Sequence, residues 1–479
     1  MSDLVNLVGR LRAFDAGRAV RAASHLQMVI QSHALIIAPL AMAGEDTTIH
    51  ALAVGPVGGP PQIRVVPDPR VREEQYGLIA WLGVIIEAYF QRCRLAGEFP
   101  QIWVSSGAAA GHLDILADRL RFTRDNPPIK RVGELLTYAT ERSPVAGQQA
   151  LMTATGALSA HYCTGQQEGE DEHLGAFLVW LDPPADGDVR RAVEQAEQEV
   201  MGVKTDPVFD RERLQPLVSA YGRARREGAS ATEQQRRARA IENELIPIVE
   251  RIYQAVQRAL TFLQGQFPAA GVLDDLARRE ADEFESFMRG RDEDVALPYR
   301  DRPKAAAFKI SERERAAQNV EQGALYGDAL AQARGRLAGK IVSGRVSNVT
   351  ATKVPRKTIH RFNVETAQTN LHLRHGDEMA YLSDPRLRCA VEGVRRHEAV
   401  THVGFIVTAG MRAVGVPSIG AAIELAPPPP DWNQLYRERG KMSARLAETP
   451  WTHSQDTTAP QATPIAQPLN LLAAVEALR

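Results

Sequence analysis

The stretch HYCTGQQEGEDEH, residues 161 to 173, holds the chain's densest set of side chains that can bind a cation. Its candidate ligands are His161, Cys163, His173 and four carboxylates. A structural zinc site needs four nitrogen or sulfur ligands, and a catalytic site needs about three plus a water. This stretch supplies three at most, and its carboxylates are typical of a hydrated turn. We therefore predict an acidic loop without a metal, and no cofactor.

Charge is distributed unevenly along the chain, although the net charge is only −1. Residues 164–200 carry ten acids and two arginines, a net charge of −8. Residues 333–413 carry fourteen bases and six acids, a net charge of +8. A high arginine content can reflect codon usage alone. An excess of bases over acids in one segment is a more specific indication of an anionic partner.

The basic segment predicts contact with a phosphate backbone, where each neutralised phosphate releases counterions. Its aromatic residues are few (Phe362, Tyr381 and Phe405), which argues against sequence-specific reading of single strands. The alternative is pairing between this segment and the acidic block, within or between chains. The predicted nucleic-acid-binding residues are Lys353, Arg356, Lys357, Arg361, Arg374, Arg395 and Arg396.

Two further stretches suggest phosphate or phosphoester chemistry. WVSSGAAAGHLDIL (103–116) reads as a strand, a glycine-rich turn and a helix, whose first backbone N–H groups with Ser105 and Ser106 can hold a phosphate. HLRHGDE (372–378) gathers two histidines and two carboxylates, which a hydrolase centre or a hydrated turn would equally contain. GRLAGKI (335–341) lacks the spacing and the hydroxyl residue of a Walker A motif. GxSxG, HExxH and kinase motifs do not occur.

Residues 1–183 predict a mixed α/β domain. Apolar runs at 32–43, 47–55 and 62–66 indicate a β-meander, and a helix is expected over 73–97, with Gly97 ending it. A strand over 101–106, a helix over 112–122 and a closing strand over 175–184 follow. Residues 184–332 predict helices, including a long one containing Pro247 and a second at 272–290. We expect these two to form an antiparallel hairpin or bundle.

Residues 333–426 alternate apolar and polar side chains between turn residues, which indicates a basic, all-β domain of five or six strands. A small barrel, OB-like or SH3-like, is one possibility. One of its strands is expected to place His372 and Arg374 on one face, opposite Leu371 and Leu373. Residues 427–468 have the composition of a Pro-rich flexible linker. Residues 469–479 predict an amphipathic helix that docks a protein partner or folds back, with a stripe formed by Leu471, Leu472, Val475 and Leu478.

The sequence as a whole predicts a multi-domain α+β protein: a mixed α/β domain, a central helical hairpin or bundle, a barrel-like β domain, and a disordered tail ending in a short helix. Cys93, Cys163 and Cys389 are too scattered for a disulfide framework or a paired zinc motif. The N-terminus does not resemble a signal peptide, and no apolar run is long enough to span a bilayer. We expect a cytoplasmic, bacterial protein that does not enter membranes.

Three functions are compatible with these patterns. The first is a non-catalytic, nucleic-acid-associated protein that assembles with partners, for example in a bacterial DNA-processing or defence complex. The second is an enzyme acting on phosphoesters or nucleotides through the Gly107 turn or the 372–378 cluster. The third is a structural scaffold whose acidic and basic regions pair. We rank the first highest because of the basic β domain and the tethered terminal helix.

Overall fold

A computed structural model describes residues 2–141, 147–185, 187–269, 271–295, 301, 303–355, 357–397 and 399–431. The chain divides into two units, one comprising Met1–Leu297 with Ala316–Trp432 and the other Pro298–Arg315 with Asn433–Arg479. Within the second unit, Lys309 Nζ lies 2.9 Å from a carboxylate oxygen of Asp301. The predicted partner-binding residues Leu471, Leu472, Val475 and Leu478, and most of the predicted linker, lie outside the described residues.

The helices are α1 (Ser2–Ala16), α2 (Arg72–Ala96), α3 (Gly107–Leu120), α4 (Pro127–Thr140), α5 (Ala154–His161), α6 (Leu174–Leu181), α7 (Val189–Glu197), α8 (Pro207–Phe209), α9 (Gln215–Arg226), α10 (Ala231–Gln266), α11 (Val272–Asp292), α12 (Pro303–Leu325), α13 (Ala329–Leu337) and α14 (Met411–Val414). The strands are β1 (Val20–Arg21), β2 (Leu35–Leu40), β3 (Ala51–Pro56), β4 (Gln62–Val65), β5 (Ile102–Val104), β6 (Leu151–Thr153), β7 (Tyr162–Cys163), β8 (Val342–Val354), β9 (Lys357–Thr366), β10 (Glu378–Tyr381), β11 (Arg388–His397), β12 (Val400–Ala409) and β13 (Ala422–Ala426). The chain is thus mixed α and β, as predicted.

The N-terminal part is built on a five-stranded sheet with strand order β4-β3-β2-β5-β6. β2, β3 and β4 form the predicted antiparallel meander, whereas β5 pairs parallel to β2 and β6 pairs parallel to β5. The helix predicted to end at Gly97 does so, because Gly97 adopts φ 69° and returns its N–H to the last helical carbonyls. α3 begins at Gly107, five residues before the expected start.

Both faces of this sheet are buried, since every residue of β2 is inaccessible to solvent. Leu35 and Ile37 contribute to a core shared with α2, α3 and α4. Ile36 and Ala38 point to the opposite face and join a core with α5, α6 and α10. The two-residue period of a strand thus divides one apolar run between two cores, which is typical of a sheet covered by helices on both sides.

The region predicted to be helical, 184–332, contains α7 to α12 and the start of α13. The apolar stripes of α10 and α11 belong to different cores. Leu245 and Ile252 of α10 pack on one face of the sheet. Phe284 and Met288 of α11 belong to the core on the other face. The two long helices therefore cover the N-terminal sheet from opposite sides, whereas the sequence predicted that they form an antiparallel hairpin or bundle.

The strand predicted over 175–184 is wrong, because Leu174–Leu181 forms α6. A short run of apolar residues does not distinguish a buried strand from a buried helix. The helix begins after His173, whose Nδ1 accepts a hydrogen bond from the Ala176 backbone N–H at the helix start. This bond caps α6, and Phe177 and Trp180 are then buried.

The basic region forms six antiparallel strands that close into a barrel with neighbour order β10-β11-β12-β9-β8-β13 and contact between β13 and β10. Its core includes Val364, Phe362, Phe405 and Val391. The predicted strand around Leu371 is wrong, since strand structure begins only at Glu378. The predicted alternation of burial nevertheless holds, with Leu371 buried and its neighbours His372 and Arg374 exposed.

Among the helices of the described residues, none combines the length and apolar character that crossing a bilayer requires.

Burial of His50 makes the stability of this fold sensitive to pH. The ring is inaccessible to solvent, and burial lowers its pKa from 6.5 to about 4. A lowered histidine pKa means that the unfolded chain binds a proton first as the pH falls, so stability is lost between these two values. We expect His50 to account for about 2 kcal/mol of lost unfolding free energy between about pH 7.5 and about pH 5.

The measurement is urea unfolding of the wild-type chain and of His50→Gln at both pH values. The variant should lose distinctly less stability on acidification. An equal loss in the two proteins would show that His50 does not titrate in this way.

Candidate nucleic-acid interface

The HYCTGQQEGEDEH stretch lies between α5 and α6, and its histidines are engaged in structural hydrogen bonds. His161 is buried; its Nδ1 lies 2.8 Å from the Ala157 carbonyl and its Nε2 accepts the Gln27 N–H. His173 caps α6 through Nδ1, and its Nε2 lies 3.1 Å from the Glu199 carbonyl. Within the described residues, no group of three or more histidine, cysteine, aspartate or glutamate side chains could hold a metal ion.

Asp171 is the buried anchor of this loop. One of its oxygens lies 2.7 Å from a guanidinium nitrogen of Arg10, and the other accepts hydrogen bonds from Thr164 Oγ1 and Gln166 Nε2. Burial raises the pKa of Asp171, and these donors act in the opposite direction. The Asp171 carboxylate therefore links the loop to α1, and its negative charge is stabilised by Arg10, Thr164 and Gln166.

Glu172 occupies the glycine-rich turn that was a candidate phosphate site. Its Oε2 accepts the Gly107 backbone N–H at 3.2 Å and a weaker bond from Thr155 Oγ1 at 3.4 Å. A carboxylate at a helix N-terminus interacts favourably with the helix dipole. Ser105 and Ser106 are buried beside it. The Glu172 carboxylate thus occupies the position at this turn where the phosphate of a ligand was expected to bind.

The 372–378 cluster is held as a turn by its own polar groups. Asp377 Oδ2 accepts the Arg374 backbone N–H at 2.7 Å. The Nδ1 atom of His375 lies 2.9 Å from the Glu392 carbonyl, so that ring faces β11. These bonds orient the two side chains toward the protein backbone, and the geometry does not assemble an acid–base pair.

The predicted nucleic-acid-binding residues lie on the barrel but do not form one cluster. Lys353 is opposite Thr358, near the tip of the β8–β9 hairpin. Arg395 is opposite His402, which is opposite Glu365. Thr358 and Glu365 are seven residues apart on β9, which corresponds to about 23 Å along an extended strand. Arg356 lies outside the described residues, and so does the side chain of Lys357.

The other four predicted residues lie on β11, on β9 and in the turn before β10. Arg361 Nε lies 3.0 Å from Glu392 Oε1 across the sheet. Arg374 precedes His375, whose ring contacts the Glu392 carbonyl. Arg395 and Arg396 follow on the same strand and are exposed. We call these four residues, Arg361, Arg374, Arg395 and Arg396, the β11 arginine cluster.

Strand pairing extends the β11 arginine cluster by a row that crosses four strands. The row runs from Arg395 to His402, Glu365 and Arg345, each directly opposite the next. Neighbouring strands are about 4.8 Å apart, so the row is about 14 Å long. Arg345 and His402 were not among the predicted site residues. Their place depends on the register of β8, β9 and β12, which only the tertiary structure fixes.

Among the described residues, most arginines of the β11 arginine cluster have no acidic partner. Glu392 pairs with Arg361, and Glu365 lies 3.5 Å from His402 Nδ1. Arg396 donates a hydrogen bond to the Thr369 carbonyl. In the described part of the chain, the Arg395 side chain makes neither an ion pair nor a hydrogen bond. Since a guanidinium has five N–H donors, this surface keeps donors available to an anion.

No known protein family, curated protein or solved structure matches this chain.

The ion pair between Arg10 and Asp171 provides a test of the loop's structural role. Replacing Arg10 by Met leaves a buried carboxylate without its cation, and we expect a loss of about 3 kcal/mol in unfolding free energy. Arg12→Met is the matched control, because Arg12 is exposed on the same helix. Urea unfolding measures both variants. Equal stabilities for the two would contradict the assigned role.

Proposed function

We propose that the barrel binds the phosphate backbone of a nucleic acid through the β11 arginine cluster, and that the protein acts without catalysis as part of a larger assembly. A bacterial DNA-processing or defence complex is the setting we favour. The observation that carries the proposal is that Arg395 is exposed on β11 and makes neither an ion pair nor a hydrogen bond within the described residues, with Arg361, Arg374 and Arg396 also on the barrel.

The geometry of the cluster suits phosphate contact more than base reading. Guanidinium groups match the paired oxygens of a phosphate. Phe362 and Phe405 stack against each other, with ring centroids 5.3 Å apart, inside the barrel core. Neither ring is accessible for stacking on a base. Backbone contacts of this kind give affinity with little sequence preference.

The partners of the acidic block weigh against an internal pairing of the two charged regions. Asp171 pairs with Arg10, Glu199 with Arg251, and Asp182 with Arg258. These bases lie on α1 and α10 and not on the barrel. Within the described residues, the barrel's own ion pairs involve nearby acids such as Glu392 and Glu424. The β11 arginine cluster is therefore left for an external anion.

The alternative of a phosphoester-acting enzyme gains no support from the geometry. Glu172 fills the Gly107 turn, and the 372–378 cluster forms a hydrogen-bonded turn. Assembly with a protein partner through residues 469–479 stays a prediction.

The binding test is fluorescence anisotropy with labelled duplex and single-stranded DNA and RNA across a salt series. Four phosphate contacts predict an affinity loss of roughly 100-fold between about 50 and 200 mM salt. Arg395→Glu with Arg396→Glu should weaken binding at least about tenfold and reduce the salt slope by about two.

The matched control is Arg190→Glu with Arg191→Glu, an adjacent exposed pair on α7 that changes the net charge equally. This control should bind nearly as the wild-type chain does. No binding at low salt, or equal losses in both double variants, would refute the proposed interface. Self-association that depends on Arg395 and Arg396 would instead favour the scaffold function.

A further inference from the structure

A cavity of about 450 Å³ opens at one edge of the five-stranded sheet, far along the sequence from the barrel. Three segments surround it: the loop after β2, the turn after β4 with the start of α2, and the second half of α3. β2 and β4 run parallel, since each is antiparallel to β3. Their carboxyl ends therefore meet at this edge, where ligands of open α/β sheets are usually bound.

Three arginines and one acidic residue, Glu45, line this cavity. Arg119 donates to the Thr47 carbonyl at 2.8 Å, and Arg70 donates to Gln215 Oε1 at 3.0 Å. Each of these bonds holds a guanidinium in place and leaves most of its N–H donors available. The arrangement is a cationic wall of three exposed arginines.

The third arginine, Arg72, is fixed against an aromatic ring. Its guanidinium lies 4.9 Å from the centroid of Tyr76 and donates to the Tyr76 hydroxyl at 2.7 Å. Glu73 and Asp125 are near Arg72 and partly offset its charge. Asp68 accepts the backbone N–H of Arg70. The side chains that line the cavity, three arginines and Glu45, nonetheless carry a net positive charge.

The remaining lining is part apolar and part hydroxyl. Ile79, Leu116 and Leu120 supply buried apolar surface. The Thr48 side chain adds an oxygen that is inaccessible to solvent and has no hydrogen-bond partner in the described structure. The Gln75 side chain makes two hydrogen bonds to the Ile49 backbone, which link α2 to the loop after β2.

We propose that this cavity binds a small organic phosphomonoester, a phosphate group carried on an apolar or planar body of about nucleoside size. The three arginines fit a dianion, which planar guanidinium groups bind in a bidentate manner. The apolar residues fit the body of the ligand, and the volume lies in the range of small-molecule sites. This site is separate from the barrel interface and does not depend on it.

The test is isothermal titration calorimetry of the full chain with adenosine 5′-monophosphate, phenyl phosphate, inorganic phosphate and adenosine. At least one of the two phosphomonoesters should bind about tenfold more tightly than inorganic phosphate, and adenosine should not bind. Failure of both phosphomonoesters to bind at millimolar concentration would overturn the proposal. Inorganic phosphate binding as tightly as both would overturn the role of the apolar wall.

Substitutions locate the binding. Arg119→Gln and Arg70→Gln should each weaken the phosphomonoester at least about tenfold, since each removes a charged hydrogen bond. Arg121→Gln is the matched control, because Arg121 lies near Arg119 but pairs with Asp118 and does not line the cavity. Equal affinities of Arg119→Gln and Arg121→Gln would place the ligand elsewhere. DNA binding by Arg119→Gln should equal that of the wild-type chain, which separates this site from the barrel interface.

Discussion

The fold depends on one constraint: the five-stranded sheet is apolar on both faces and must be covered on both. No short local segment can do this, because side chains alternate along each strand and present two separate apolar surfaces. The chain meets the constraint by placing α2, α3 and α4 on one side and α5, α6 and α10 on the other. Residues some two hundred positions apart in the sequence, on β2 and on α10, are therefore required for a single core.

This coverage also determines where the acidic loop lies. α5 and α6 belong to one covering layer, so the loop between them, residues 162–173, is brought to the start of α3. There Asp171 fastens the loop to α1 and Glu172 completes the helix N-terminus. A stretch that resembles a metal site in isolation is thus a connection with structural roles. Its charges are used locally and leave the arginines on β11 without acidic partners from that block.

The sequence predicted local elements well where periodicity was strong. The meander, the helix ending at Gly97, the helical central region and the six-stranded basic domain are all present. Prediction from the sequence failed at α6, because a helix buried on all sides shows no hydrophobic periodicity. It also failed around Leu371, where apolar and polar residues alternate in a segment that does not pair as a strand. α10 and α11 show the same limit, since an amphipathic stripe indicates that a helix packs but not what it packs against.

The candidate interface was predictable in part. Net charge directed attention to the segment that forms the barrel, and Arg395 and Arg396 are exposed there. The separation of Lys353 from the β11 arginine cluster, and the addition of Arg345 and His402, depend on strand register. The cavity at the sheet edge left no signal in the sequence, because Arg70 and Arg119 come from distant turns and helices and belong to no motif.

Hydrogen–deuterium exchange with and without a short DNA duplex at low salt tests the central claim most directly. Binding at the β11 arginine cluster predicts slower exchange of backbone amides in β9, β11 and β12 and unchanged exchange in the five-stranded sheet. Slower exchange confined to the N-terminal sheet and its helices, or no change anywhere at saturating DNA, would contradict the assignment of the barrel as the nucleic-acid-binding surface.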